Sequence, residues 1–131
     1  MVNIVIVSHS KRLAQGLMEL ASQMKSDDCQ IALAAGIDDP DNPIGTDAAK
    51  IMAAIEEVYS PDGVVVMVDL GSAILSAETA LELLDPAISE RVRISRAPLV
   101  EGTIGAVVAA SGGDSLEGVL AEADLAYSLK G

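Results

Sequence analysis

Short apolar runs and longer amphipathic segments alternate along this 131-residue chain. The first run, residues 2–7, is interrupted only by Asn3 and is rich in β-branched side chains, which is typical of a buried parallel strand. Similar runs at 30–35 and 64–68 predict two more strands. A shorter run at 92–94 has charged neighbours, which suit a strand at the edge of a sheet.

Apolar residues at helical spacing follow these strands and predict helices between them. In the first helix the repeating positions, expected to form its apolar face, are Leu13, Leu17, Leu20, Ala21 and Met24. Further helices are predicted at 47–58 with Thr46 as N-cap, at 73–84 ending at Asp85-Pro86, at 100–110, and at 116–129 with Ser115 or Asp114 as N-cap.

Repeated β-α units require right-handed crossovers, so this alternation predicts an α/β fold. The expected architecture is a small doubly wound, mainly parallel four-stranded sheet with helices on both faces. By its length the chain is a single domain over residues 1–131.

The composition restricts the core and the class of partner. Half of the residues are hydrophobic, but Phe and Trp are absent and Tyr59 and Tyr127 are the only aromatic residues, so the core must be aliphatic. Eight Lys and Arg stand against 20 Asp and Glu, a formal net charge of −12. This balance argues against nucleic acids and anionic membrane surfaces and favours a basic protein partner.

The number of cysteines and the length of the apolar stretches indicate where in the cell the protein is expected. The single Cys29 has no partner for an internal disulfide, which fits a reducing environment, and it is expected to be a core-facing or surface thiol. No stretch reaches the roughly 18 to 20 uninterrupted apolar residues that span a bilayer. The expected location is the cytoplasm.

Polar residues follow three of the predicted strands: Ser8-His9-Ser10, the segment 36–39 and Asp69-Leu70-Gly71-Ser72. The carboxyl ends of parallel strands lie at one edge of a sheet, where open α/β folds bind ligands, so these segments are expected to converge.

His9 is the only histidine, and a histidine at such an edge can act as nucleophile, base or ligand. A carboxylate such as Asp69, bonded to one ring nitrogen, would fix the tautomer and raise the basicity of the other nitrogen. Gly71 would let backbone N–H groups approach an anion near a helix start. Together these residues predict a site for a phosphoryl group on or near His9.

Plainer interpretations of the same residues remain open. His9 could bond a loop carbonyl, Asp69 could be a helix cap or turn residue, and Gly71-Ser72 could be only a turn between strand and helix. Thr46 is most simply a cap, although its hydroxyl could also touch phosphate.

Two other segments attract attention. The acidic cluster Asp38, Asp39 and Asp41 lacks a terminal bidentate glutamate and is interrupted by prolines, so a solvated loop is expected there and no metal. Residues 98–102 are expected to lie at the rim of the site or at a subunit contact.

Four stretches together resemble the mannose-type IIA domains of the bacterial phosphoenolpyruvate-dependent sugar phosphotransferase system. Within that family they look most like the phosphotransferase subunits of phosphoenolpyruvate-dependent dihydroxyacetone kinases. The mannose branch has a longer glycine-rich turn and a following proline where this chain has Gly71-Ser72-Ala73, which favours the kinase subunits. The stretches are MVNIVIVSHSKRLAQG, AAGIDDPDNPIGTDAAKIMAAIE, VVVMVDLGSAILSAETALELL and APLVEGTIGAVVAASGG.

The resemblance implies that His9 is phosphorylated on Nε2 by the phosphocarrier protein HPr and passes the group to ADP bound on the nucleotide-binding subunit of the kinase. It assigns Asp69 to orienting His9, and Gly71, Ser72 and, more weakly, Thr46 to phosphate contacts. It also implies a homodimer, and no metal or organic cofactor is expected on this chain.

Alternative functions remain. A IIA component of a mannose-type sugar transporter would use the same histidine. A receiver-type signalling domain would phosphorylate Asp69 but needs an acidic pair where this chain has Ser8-His9-Ser10. A phosphohistidine mutase or phosphatase needs more arginines than Arg12 near the site and a second histidine. A noncatalytic binding module would not depend on His9.

Overall fold

Four parallel strands form the sheet that the apolar runs predict. The computed structural model describes residues 1–128, and within them the strand order is β2-β1-β3-β4. The short strand β4 lies at the edge of the sheet, as its charged neighbours indicate, and the all-parallel pairing confirms the predicted α/β fold. The strands are β1 Asn3–Ser8, β2 Ile31–Ala35, β3 Val64–Val68 and β4 Val92–Ser95.

Six helices accompany the sheet within residues 1–128. The last predicted helix ends early, at Asp124, and continues as a 3-10 turn over Leu125–Ser128, while its predicted end at position 129 lies outside the described residues. The helices are α1 Lys11–Ser22, α2 Ala48–Val58, α3 Gly71–Leu83, α4 Pro86–Ser89, α5 Leu99–Ser111 and α6 Leu116–Asp124.

The buried aliphatic side chains form two clusters, one on each face of the sheet. Alternate residues of β1 point to opposite faces, so Ile4 and Ile6 pack with α1, α5 and α6, and Val5 and Val7 pack with α2 and α3. This two-sided burial explains the nearly continuous apolar runs and fits a doubly wound sheet.

The apolar face predicted for α1 is only partly correct. The residues that α1 buries are Ala14, Leu17 and Ala21, a narrow stripe at helical spacing. Larger side chains beside this stripe remain about half exposed, because the surface of α1 that is buried is narrower than the apolar face in the sequence. These side chains are Leu13 at 45%, Leu20 at 51% and Met24 at 51% exposure.

Two helix starts differ from the predictions, and one short helix was not predicted. The N-cap of α2 is Asp47, whose carboxylate accepts a hydrogen bond from the Ala49 N–H, so the assignment of Thr46 as cap is wrong. Helix α3 begins at Gly71, two residues earlier than predicted. The Asp85-Pro86 pair ends α3 and also starts α4, with Asp85 as cap and Pro86 in the first turn, where its missing N–H costs nothing.

Cys29 lies in the core, and burial raises the pKa of its thiol. The Ser115 cap of α6 is confirmed, since its hydroxyl accepts from the Gly118 N–H. Within residues 1–128, no helix combines the length and the apolar character needed to cross a membrane.

Candidate functional site

The predicted site residues meet at the carboxyl edge of the two central strands. The chain passes from β1 to β2 on one side and later to β3 on the other side of β1, so β1 and β3 flank the point where the winding reverses. Such a point leaves a crevice outside the strand ends. Val7 pairs with Val68, which places His9 and Asp69 side by side just beyond the sheet.

The Asp69 carboxylate is held by four hydrogen bonds. Its Oδ2 accepts from the Ser8 hydroxyl and from the main-chain N–H of His9, both at 2.9 Å. Its Oδ1 accepts from the main-chain N–H of Leu70 at 2.7 Å and lies 2.9 Å from Nδ1 of the His9 ring. Both oxygens are therefore fixed in position, and one of them faces the imidazole.

These contacts also set the charge of Asp69. Burial raises the pKa of the carboxyl, but the hydrogen bonds from His9, Ser8 and Leu70 lower it by more, so the pKa lies below its ordinary value of 3.8. The group is therefore an anion at neutral pH and can only accept hydrogen bonds.

The tautomer of His9 follows from that charge. Because Asp69 only accepts, Nδ1 carries the ring proton, and in the neutral ring Nε2 then has a free electron pair. The Ser72 Oγ lies 2.7 Å from Nε2 and donates to it. The His9 side chain is 18% exposed, so part of the imidazole is accessible to solvent. A neutral imidazole oriented in this way by a carboxylate is suited to nucleophilic attack.

Gly71 and Ser72 form the first turn of α3 beside this ring. The cap residue Leu70 makes no side-chain cap hydrogen bond, which leaves N–H groups of the first turn available to an anion. Gly71 is not among the glycines with positive φ, and a Cβ built there would meet no atom within 4 Å. The backbone conformation at position 71 therefore does not require glycine. The absence of a side chain there leaves the start of the helix uncovered.

Thr46 borders the site without joining the cluster of His9, Asp69 and Ser72. Its hydroxyl lies 2.7 Å from that of Ser76 in α3. The neighbouring Gly45 donates its N–H to the His9 carbonyl at 2.9 Å, so this loop is attached to the site through the main chain.

Sequence reasoning gave no individual role to three serines in and around this site. Ser8 holds Asp69, Ser10 is the N-cap of α1, and Ser76 binds Thr46. The serines that flank His9 were a usable signal, because a hydroxyl next to a histidine at a strand end can orient the carboxylate that binds the histidine ring. The spacing of four between Ser72 and Ser76, which places them on one face of a helix, was another.

The acidic loop has local partners of its own. Asp38 pairs with Lys50 at 2.9 Å, and that contact lowers the pKa of its carboxyl. Asp39 accepts from the main-chain N–H groups of Asp41 and Asn42, which stabilises the turn. Among residues 1–128 no group of three or more His, Cys, Asp or Glu side chains is arranged to hold a metal ion.

The segment 98–102 packs against the sheet. The Pro98 carbonyl accepts from the Gly102 N–H at 2.8 Å, and a Cβ on Gly102 would come within 2.8 Å of Met67 and 2.9 Å of Ala97. A contact of this segment with the site rim or with another subunit stays a prediction.

Known proteins resemble the chain over nearly all of its length. A relative from Escherichia coli (strain K12), named PEP-dependent dihydroxyacetone kinase, phosphoryl donor subunit DhaM, is 60% identical over 131 residues, which cover 99% of this chain and 28% of that protein. A relative from Listeria innocua, named as the phosphoryl donor subunit DhaM of PEP-dependent dihydroxyacetone kinase 2, is 41% identical and is matched over 93% of this chain and 96% of its own length.

A solved structure shares the fold. A crystal structure titled as that of the unknown function protein EF1359 superposes with a TM-score of 0.77 at 35% identity, covering 94% of this chain and 92% of that one. The chain spans 28% of the length of the Escherichia coli relative.

The family model described as EIIA-man, PTS system fructose IIA component, matches residues 3–120. That range contains both central strands and all of the residues gathered around His9. The resemblance seen in the sequence motifs is confirmed, and the chain belongs to the EIIA-man family.

Proposed function

We propose that this domain is a phosphoryl relay of a phosphoenolpyruvate-dependent dihydroxyacetone kinase. It accepts a phosphoryl group on His9 Nε2 from phosphorylated HPr and passes the group to ADP bound on the nucleotide-binding subunit. The observation that carries the proposal is the series of hydrogen bonds from Asp69 to His9 and from His9 to Ser72. In this series Nε2 is the unprotonated ring nitrogen, whose electron pair can attack phosphorus once the Ser72 hydroxyl moves away. The assignment to a dihydroxyacetone kinase comes from the names of the relatives.

In the first step the Nε2 electron pair attacks the phosphorus atom of the donor phosphohistidine. The new P–Nε2 bond forms as the donor P–N bond breaks, and the electron pair of the broken bond returns to the donor imidazole. Asp69 keeps the proton on Nδ1 and offsets the positive charge that develops on the ring. The Ser72 hydroxyl, displaced from Nε2, is free to donate to a phosphoryl oxygen, as are N–H groups in the first turn of α3.

In the second step a terminal phosphate oxygen of ADP attacks the same phosphorus atom from the opposite side. The P–Nε2 bond breaks, its electron pair returns to Nε2, and ATP forms on the acceptor subunit. In each step the entering atom, the phosphorus atom and the leaving atom must be in line, and a partner protein has to reach Nε2 both times, so Nε2 must be accessible at the surface of the domain. A cytoplasmic location and a homodimeric state belong to the same proposal, since the donor and ADP are cytoplasmic and members of this family commonly pair.

The alternative is a IIA component that passes the group to a sugar transporter of the mannose type. It is favoured by the description of the matching family, which names a sugar system. The two functions share the first step and differ only in the acceptor.

The test is to incubate the 131-residue chain with enzyme I, HPr and phosphoenolpyruvate and to compare intact mass and acid lability with those of His9→Ala. One added, acid-labile phosphoryl group in the wild type alone supports the relay. Loss of that group on adding the ADP-loaded kinase subunit supports the kinase, and loss only on adding a transporter IIB component supports the alternative. A wild type that gains no phosphoryl group contradicts both.

A further inference from the structure

The side chain of Ser8, the last residue of β1, is fully buried beside the site. Ile4 and Ile6 of the same strand pack on the face of the sheet that α1, α5 and α6 cover, and alternation along the strand places Ser8 on that face. The same rule places Asp69, two residues after Met67 of β3, on this face too. The polar side chains at the ends of two neighbouring strands therefore meet on one side of the sheet.

The contacts of the Ser8 hydroxyl fix the direction of its single proton. Its Oγ accepts from the main-chain N–H of Ser10 at 3.1 Å and lies 2.9 Å from Oδ2 of Asp69. The Asp69 carboxylate is ionised and can only accept, so Ser8 donates to it. A chain of hydrogen bonds thus runs from the Ser10 N–H through Ser8 to one oxygen of Asp69, while the other oxygen faces the His9 ring.

The same arrangement occurs a second time, at the end of β4. Ser95 is the last residue of that strand and is also buried, and its Oγ accepts from the Ala97 N–H at 3.2 Å and donates to Oδ1 of Asp124 at 2.8 Å. In both copies a serine at a strand end binds the N–H two residues later and an aspartate from another part of the chain. The two copies differ in what the aspartate faces, because the single histidine lies beside Asp69. The copy at β4 is therefore a control within the same molecule.

The tautomer of His9 depends on Asp69 and not on Ser72. The Ser72 hydroxyl, 2.7 Å from Nε2, can donate or accept, so it is compatible with either tautomer. In water the neutral histidine side chain favours the proton on Nε2, the nitrogen that must be free to attack phosphorus. The position of the Asp69 oxygens therefore keeps the proton on Nδ1.

We infer that Ser8 is a positioning residue for phosphoryl transfer: its hydroxyl holds Oδ2 of Asp69 so that Oδ1 points at Nδ1 of His9 and Nε2 stays unprotonated. The effect on rate rests on the proposed function, whereas the effect on the tautomer can be measured without any phosphoryl donor. Without the hydroxyl, Oδ2 keeps only the His9 N–H, and the carboxylate can turn about its bond to Cβ. Small displacements of the groups that orient a reacting atom lower the rate strongly.

The experiment compares the two serines. Ser8→Ala removes the hydroxyl beside the site, and Ser95→Ala removes its counterpart at the end of β4. The rate of phosphorylation is measured over a range of phospho-HPr concentrations and, separately, with phosphoramidate, a small phosphoryl donor. In proteins that carry ¹⁵N in the histidine ring, NMR reports which ring nitrogen is protonated, and the single His9 gives one unambiguous pair of signals.

We expect Ser8→Ala to lower kcat with phospho-HPr by about tenfold or more at an unchanged KM, because a fully buried side chain does not touch the donor. The rate with phosphoramidate should fall by the same factor. The ring signals of Ser8→Ala should show a larger fraction of the tautomer with the proton on Nε2. Ser95→Ala should keep the rates and the tautomer of the wild type.

A second pair of variants separates the hydroxyl from packing. Ser8→Thr keeps a hydroxyl, and Ser8→Val has a methyl group of similar size in its place, while both side chains suit a strand. Ser8→Thr should retain most of the wild-type rate and the wild-type tautomer, and Ser8→Val should resemble Ser8→Ala. Equal behaviour of the Thr and Val variants overturns the inference.

The remaining outcomes are equally decisive. Equal effects of Ser8→Ala and Ser95→Ala on rate and tautomer overturn the positioning role and leave both serines as parts of the fold. A raised KM with an unchanged kcat, or a changed tautomer without a slower rate, also overturns it. A wild type that is phosphorylated by neither donor refutes the proposed function, and the tautomer comparison then decides by itself whether Ser8 positions His9.

Discussion

The Ser72 hydroxyl oxygen lies 2.7 Å from Nε2 of His9, the nitrogen that bonds to phosphorus in the proposed relay. The same hydroxyl therefore covers the electron pair in the resting protein and must rotate away before Nε2 can attack. After transfer it stands next to the new phosphoryl group and can donate to it. Ser72 thus has opposite effects before and after phosphorylation.

We expect Ser72→Ala to accept the phosphoryl group at a rate within a few-fold of the wild type and to hold it less well. Hydrogen bonds to charged groups are worth about 1.5 to 3 kcal/mol, so hydrolysis of the phosphohistidine should be about tenfold faster. The decay is followed by intact mass after removal of the donor. Thr79→Ala, two turns further along α3 with its hydroxyl on the Leu75 carbonyl, is the control and should decay like the wild type.

Asp69→Asn should slow phosphorylation of His9 by about a hundredfold, the lower end of what positioned acid-base groups contribute. The amide no longer offsets a positive imidazole, and it can stabilise the wrong tautomer by donating to Nδ1. The rate is measured in a single turnover with phospho-HPr. Asp124→Asn is the matched control, because that carboxylate also accepts from a serine hydroxyl, Ser95, at the end of β4. A similar loss in both variants would contradict a special role for Asp69.

The lowered pKa of Asp69 predicts how the stability of the domain depends on pH. A carboxyl whose pKa is lower in the folded state stabilises the fold above its ordinary pKa of 3.8, and this contribution is lost as the pH falls through the folded value. Asp69→Asn should therefore destabilise the domain near neutral pH and differ less from the wild type in acid. Urea unfolding from about pH 7 to about pH 3 checks this. Parallel curves over that range would contradict it.

Two glycines provide a test of the fold itself. Gly63 has a φ of +108°, and a Cβ there would lie 2.7 Å from the Arg91 carbonyl oxygen, so Gly63→Ala should cost about 2 kcal/mol or more. Gly16 lies inside α1 with no atom within 4 Å of a Cβ, so Gly16→Ala should stabilise the domain by about 0.5 to 1 kcal/mol. Urea midpoints of both variants measure the free energy of unfolding.

Much of the sheet and the meeting of the site residues could be predicted from the sequence. The run at 64–68 has no competing helical pattern, and the strand observed there is Val64–Val68. His9 and Asp69 could be brought together before the strand order was known, because all carboxyl ends of a parallel sheet share one edge. That β1 and β3 are neighbours, with the winding reversing between them, is a property of the pairing and is not encoded in any local pattern.

The sequence-based predictions were wrong where neighbouring residues of similar chemistry could take the same structural position. Thr46 and Asp47 are adjacent and both can cap a helix, and the bond from Thr46 to Ser76 leaves Asp47 as the cap. Leu13 and Leu20 fit the helical period as well as Leu17 does, yet they are exposed, because periodicity does not say how wide a stripe the sheet covers.

Ser72 and Ser76 lie one turn apart in α3, and each binds a different part of the chain: Ser72 the His9 ring, and Ser76 the Thr46 hydroxyl. Helix α3 therefore joins His9 to the loop that carries Thr46. A displacement of its first two turns breaks both hydrogen bonds together, so that uncovering of Nε2 and release of the loop are mechanically coupled.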